Sequence, residues 1–119
     1  MPEETDVAHG IVVAHEGDIG EGEAIRVTRD VTGADDAIAV FFDEGSYFAL
    51  NDTCTHAEAS LAEGWIENGE VECPMHSGRF CLRSGAVLSM PATRDAVTHR
   101  VEVVEGDVVL FPGEPNPAS

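Results

Sequence analysis

Two thiols and two imidazoles in this chain stand at spacings that could hold a metal. Cys54-Thr55-His56 places a cysteine and a histidine two apart, and Cys73-Pro74-Met75-His76 places them three apart. Sixteen residues lie between His56 and Cys73, so the halves belong to separate segments. Two Cys and two His can take zinc in a closed tetrahedron. The unequal C-x-H and C-x-x-H halves favour a [2Fe–2S] centre with mixed ligands, in which two Cys hold one iron and two His the other. Replacing two thiolates by neutral imidazoles makes the oxidised centre less anionic and easier to reduce. The chemistry predicted is the carriage of single electrons. No nucleophile–base motif, Gly-rich phosphate loop or H-E-x-x-H segment competes with it.

The rest of the chain must position those residues. At 119 residues it reads as a single domain, 1–119, and 43% hydrophobic residues are enough to close a core. Its formal net charge is −17, and all six basic residues are Arg. Such a field repels nucleic acid and anionic lipid and attracts basic protein surfaces. Three Cys do not make a disulfide framework. Met1 to Asp6 lacks a basic and then apolar leader, and no apolar run reaches the ~18–20 residues of a membrane span. A cytoplasmic protein with no membrane attachment is expected.

The periodicity is that of short strands. Gly10–Ala14 and Ala24–Thr28 read as strands, the second alternating apolar and polar, with a turn over Thr32–Asp36. Ala37–Phe42 and Tyr47–Leu50 flank Asp43-Glu44-Gly45-Ser46, a hairpin that delivers the chain to the first Cys/His segment. Asn68-Gly69 favours a type I′ hairpin turn, and Val71-Glu72 leads into Cys73. Arg79–Leu82, Ala96–Val103 and Val108–Phe111 complete eight to ten short strands, an all-β sandwich or barrel. Residues 112–119 hold three prolines and read as a disordered tail.

Cys54-Thr55-His56 and Cys73-Pro74-Met75-His76-Ser77-Gly78, with Leu61-Ala62-Glu63-Gly64, Glu72 and Arg79-Phe80 around them, resemble the two ligand boxes of the Rieske family. The match runs from about Ala37 to Phe111 and looks most like the small ferredoxins of bacterial aromatic ring-hydroxylating dioxygenases. The resemblance implies a Rieske-type β-sandwich with a small cluster-binding subdomain, about 51–91, at one end. It implies that Cys54 and Cys73 bind the buried iron, that His56 and His76 bind the outer one, and that Pro91 packs beside the cluster. High-potential members carry an extra Cys in each loop, paired as a disulfide, and a Ser and a Tyr hydroxyl near the cluster. Here Ala59 (or its neighbour) and Met75, and Gly78 and Phe80, stand in those places. Fewer hydrogen-bond donors leave the reduced state less stabilised, so a low potential is expected.

The implied role is an electron carrier, not an enzyme. A flavin- and NAD(P)H-dependent ferredoxin reductase would supply the electron, and a terminal oxygenase would accept it from a monomeric carrier. The alternatives are a Rieske-like small subunit of a nitrite reductase and a structural zinc module. Cys81 and Trp65 are expected to be buried packing residues. His9, His15 and His99 are expected to be ordinary surface or strand histidines. Asp52, Glu58, Glu63, Glu67, Glu70 and Glu72 form an acidic rim around the two segments, either solvated or used in docking.

Overall fold

The computed structural model describes residues 10–53, 59–75, 78–89 and 95–114. Among the described residues ten strands form two antiparallel sheets. In chain order they are β1 (Ile11–His15), β2 (Glu23–Val27), β3 (Ile38–Asp43), β4 (Ser46–Asn51), β5 (Trp65–Glu67), β6 (Glu70–Glu72), β7 (Arg79–Cys81), β8 (Val87–Ser89), β9 (Thr98–Val104) and β10 (Asp107–Phe111). The large sheet runs β1-β10-β9-β4-β3-β2 and the small one β5-β6-β7-β8. One helical turn, α1 (Arg29–Thr32), follows β2, and a 3-10 turn covers Leu61–Glu63.

The hairpin β3–β4 is the middle layer. Alternate residues of a strand point to opposite faces, and on β3 both faces are apolar. Ile38 and Val40 of β3 join Ala49 of β4, Val27 of β2, and Val108 and Leu110 of β10 in one buried cluster. Strands from the two ends of the large sheet meet there, so the sheet curls around this core. Ala39 and Phe41 face the other way and join Phe48 and Leu50 under the small sheet. Ile66, Val71 and Phe80 are cross-strand neighbours on β5, β6 and β7 and close this second core. Phe41, Phe80, Leu50 and Leu61 are fully buried, each contributing about 1.5–3 kcal/mol of transfer free energy.

Two of the expected hairpins have the expected turns. Glu44 and Gly45 join β3 to β4 at φ 53° and 80°, and Asn68 and Gly69 join β5 to β6 at φ 56° and 78°. Two consecutive residues with positive φ define the type I′ turn, whose twist matches the strands. The turns also tie the two sheets together, because the Gly69 amide donates to Asp43 Oδ2 at 2.6 Å.

Two readings from the sequence need correction, and one strand went unread. Thr32 belongs to α1, where only a turn was expected, and Gly33 ends that helix in the left-handed region at φ 74°. Strand β8 has no period-2 pattern to reveal it; it exists through its pairing with β7. Pro112–Glu114 does not fit the disordered tail expected of 112–119. Glu114 C=O accepts the Arg100 amide at 2.7 Å, and the Gly113 amide donates to His99 Nδ1 at 2.9 Å. Residues 115–119 lie outside the described residues.

Candidate metal centre

The first Cys/His segment leaves the end of β4 from a braced base. Asp52 is 1% exposed and follows the strand directly. Its Oδ1 accepts the Ser60 hydroxyl at 2.8 Å and the Ala62 amide at 2.9 Å, and its Oδ2 pairs with Arg26 Nε at 3.2 Å. Its carbonyl accepts the Leu61 amide at 2.7 Å, and its own amide donates to Ala37 C=O at 2.8 Å. Asp36 holds the next residue through the Thr53 amide and hydroxyl at 3.1 and 2.8 Å. A bridge between Thr53 and Ser60 then closes the loop. Cys54, His56 and Glu58 lie within that loop, outside the described residues.

The second segment turns between β6 and β7. The Cys73 amide donates to Gly78 C=O at 2.7 Å, which closes the turn. Cys73 is fully buried, and the Met75 amide points at its Sγ from 3.4 Å. An N–H aimed at sulfur favours the anionic thiolate that an iron ligand must be. His76, Ser77 and Pro91 lie outside the described residues.

The two loop bases meet in one place. Leu61, Ala59 and Ala62, from the exit of the first loop, pack in the cluster that contains Cys73. Gly64 permits this approach. A Cβ built there would lie 2.1 Å from the carbonyl oxygen of Glu72, the residue before Cys73. Of the four predicted ligands the structure describes Cys73 alone, and it brings the base of the other loop beside it. A buried sulfur that accepts an amide N–H, in an apolar shell, fits an iron–sulfur ligand.

Other candidates fall elsewhere. Trp65 is 63% exposed, against the expected burial, because its place on β5 puts it on the outer face while Ile66 packs inward. Cys81 is half-buried at the same outer face rather than fully buried. Burial pushes its thiol up, but hydrogen bonds from the Ser84 hydroxyl and from the Ser84 and Arg83 backbone outweigh this and leave its pKa lowered. His15 pairs with Asp107 at 2.7 Å on the surface. His99 is buried, bonded to Asn51 Oδ1 at 2.7 Å and to the Gly113 amide. His9 lies outside the described residues. Asp52 does not belong to a solvated rim, since its carboxylate is inside. Sequence reasoning missed its role, with those of Arg26, Asp36 and Gly64. The partners come from strands and turns remote in sequence, and only Gly64 stood in a motif that pointed to the site.

A two-sheet β protein with a buried cysteine at the base of a hairpin turn, beside the braced base of a second loop, fits the class of iron–sulfur electron-transfer domains. Residues 9–104 match the family model of the Rieske [2Fe-2S] domain, and the chain belongs to that family. It is 40% identical over 101 residues to the 3-phenylpropionate/cinnamic acid dioxygenase ferredoxin subunit of Escherichia coli (strain K12), covering 84% of this chain and 91% of that one. A chain in the complex of reduced oxygenase and oxidized ferredoxin in carbazole 1,9a-dioxygenase superposes with a TM-score of 0.81 at 36% identity, covering 90% of this chain and 95% of that one. The ferredoxin of carbazole 1,9a-dioxygenase from Nocardioides aromaticivorans IC177 gives 0.79 at 31% identity, covering 87% and 97%. The cofactor is thus a Rieske-type [2Fe–2S] cluster rather than zinc. The protein is an electron-transfer component and not itself a catalyst. No helix among the described residues is long and apolar enough to cross a membrane.

Proposed function

We propose that this chain is the ferredoxin component of an aromatic ring-hydroxylating oxygenase system. In this reading it takes single electrons from an NAD(P)H-dependent flavoprotein reductase and passes them to a terminal oxygenase, as a cytoplasmic monomer near the pyridine-nucleotide pool. Cys54 and Cys73 hold one iron and His56 and His76 the other. The chain acts as one domain, with the region of about 51–91 serving as the cluster-binding subdomain. When bound, the cluster supplies one-electron storage.

The protein's own residues do the rest. Asp52 and Asp36 fix the base of the first loop, and the Cys73–Gly78 bond fixes the second. The Met75 amide stabilises charge at the Cys73 sulfur. Phe80, fully buried, brings an apolar ring where high-potential members have a hydroxyl. The observation that carries the reading is Cys73, buried and amide-bonded beside the exit of the other loop, in a chain 40% identical to a dioxygenase ferredoxin subunit.

The test is a redox titration followed by electron paramagnetic resonance. We expect a Rieske spectrum on one-electron reduction and a potential near the bottom of the Rieske range, about −150 mV. His76→Ala should abolish that spectrum while Cys81→Ser retains it. A potential above zero, or a Rieske spectrum in His76→Ala, would overturn the reading.

A further inference from the structure

The outer face of the small sheet presents an unusual combination of groups. The register aligns Trp65 with Glu72 and Arg79, and Glu67 with Glu70. With Asn68 these residues line a groove of about 190 Å³. Arg79 pairs with Glu70 at 3.1 Å and Glu72 at 3.4 Å. Among the described residues no cation reaches Glu67. It stands directly opposite Glu70, and like charges at such a cross-strand position are destabilising. Charge alone would protect the β5 edge from pairing with another strand. An indole at 63% exposure adds nothing to that protection. Trp65 is also the chain's single tryptophan.

The groove is smaller than the ~300 Å³ at which small-molecule pockets begin, and it is open on the sheet surface. An aromatic ring beside two opposed carboxylates suits one planar or compact cation. Nucleic acid and anionic lipid are repelled by the same carboxylates. We infer that the outer face of β5–β6–β7 is a docking surface for a protein partner presenting an arginine or lysine, whose cation stacks on Trp65 and is shared by Glu67 and Glu70. Arg79 already compensates Glu70 and Glu72, so the incoming cation gains chiefly at Glu67, the groove carboxylate that no described cation reaches. The partner is the basic patch of a redox protein, which is the only respect in which this rests on the carrier reading.

The test is a fluorescence titration of the oxidised, full-length holoprotein with a capped hexa-arginine peptide at low salt, read at Trp65. We expect a saturable change in emission. The double variant Glu67→Gln/Glu70→Gln should weaken binding by about fivefold, the sum of two modest exposed charge contacts. Glu16→Gln/Glu105→Gln removes the same charge from a remote turn and should leave affinity within about twofold. Equal weakening in both double variants, or no emission change in the parent protein, would overturn the inference. The cluster's magnetic spectrum is measured separately, so failure here is distinct from failure of the carrier reading.

Discussion

Asp52 carries more of the site's architecture than any other described side chain. It is buried, and its carboxylate is divided among Ser60, Ala62 and Arg26. Asp52→Ala would strand a half-buried amide and a half-buried hydroxyl, each at the low end of the about 1–3 kcal/mol that an unsatisfied buried group costs. We expect an overall loss of about 2–4 kcal/mol, seen as a lower Tm and reduced iron per chain. Asp52→Asn keeps an acceptor for Ser60 and Ala62 but loses the ion pair with half-exposed Arg26 and turns an amide N–H donor toward it, so it should cost about 1–2 kcal/mol. His99 gives a pH signature. Burial lowers its pKa from 6.5, and the charge of Asp36 opposes this only in part. Its Nδ1 accepts the Gly113 amide, a bond that protonation would break. The unfolded chain therefore binds the proton at higher pH than the folded one, and stability is lost as pH falls below about 6.5. Chemical denaturation at stepped pH should show this fall, and His99→Gln should flatten it. Neither residue was legible as important. Asp52 sat among other acids in the sequence, and His99 has partners at Asn51 and Gly113 that only the fold supplies. The Cys/His spacing, by contrast, pointed to the family from the sequence alone, because ligand chemistry constrains it locally.

At the scale of elements, the hairpins were the most readable part. Asn68-Gly69 and Glu44-Gly45 take the left-handed angles that a two-residue turn demands, and turn chemistry is encoded in the turn itself. Strand β8 and the outward face of β5 were not readable. Both depend on which neighbour a three-residue strand pairs with, and a one-residue change of register would have turned Trp65 inward. Gly64 shows how a motif glycine works between elements. Its φ is −83°, an ordinary value, so its need is for space: any Cβ would strike the Glu72 carbonyl. Gly64→Ala must push the 3-10 turn and β5 away from β6, immediately before Cys73. We expect about 1–3 kcal/mol of destabilisation, with the absorbance of the cluster bleaching at a lower temperature than in the parent protein. Retention of full cluster stability in Gly64→Ala would show that the two loop bases need not lie so close.

At the scale of the whole molecule, the chain separates a neutral, apolar interior from an intensely acidic exterior. The two cores flanking β3–β4 contain almost no charge; among the described residues Asp43 and Asp52 are the buried carboxylates, each hydrogen-bonded. The other described acids are half-buried or exposed, and over the whole sequence 23 acidic residues oppose 6 basic ones. This excess costs stability through self-repulsion and keeps copies apart. What it offers in return is long-range attraction for a basic partner, felt over a Debye length of about 30 Å at 0.01 M salt and about 10 Å at 0.1 M. Such attraction raises encounter rates more than affinity, which suits a carrier that must dock, pass an electron and leave. The bimolecular rate of electron transfer to a basic acceptor protein should therefore fall by at least about tenfold between roughly 0.01 and 0.5 M salt. The unimolecular step within the complex should change little, because charges at contact distance are less screened than those across solvent. Stopped-flow oxidation of the reduced protein separates the two, since only the first scales with acceptor concentration. A salt-independent bimolecular rate would mean that the acidic exterior serves solubility alone.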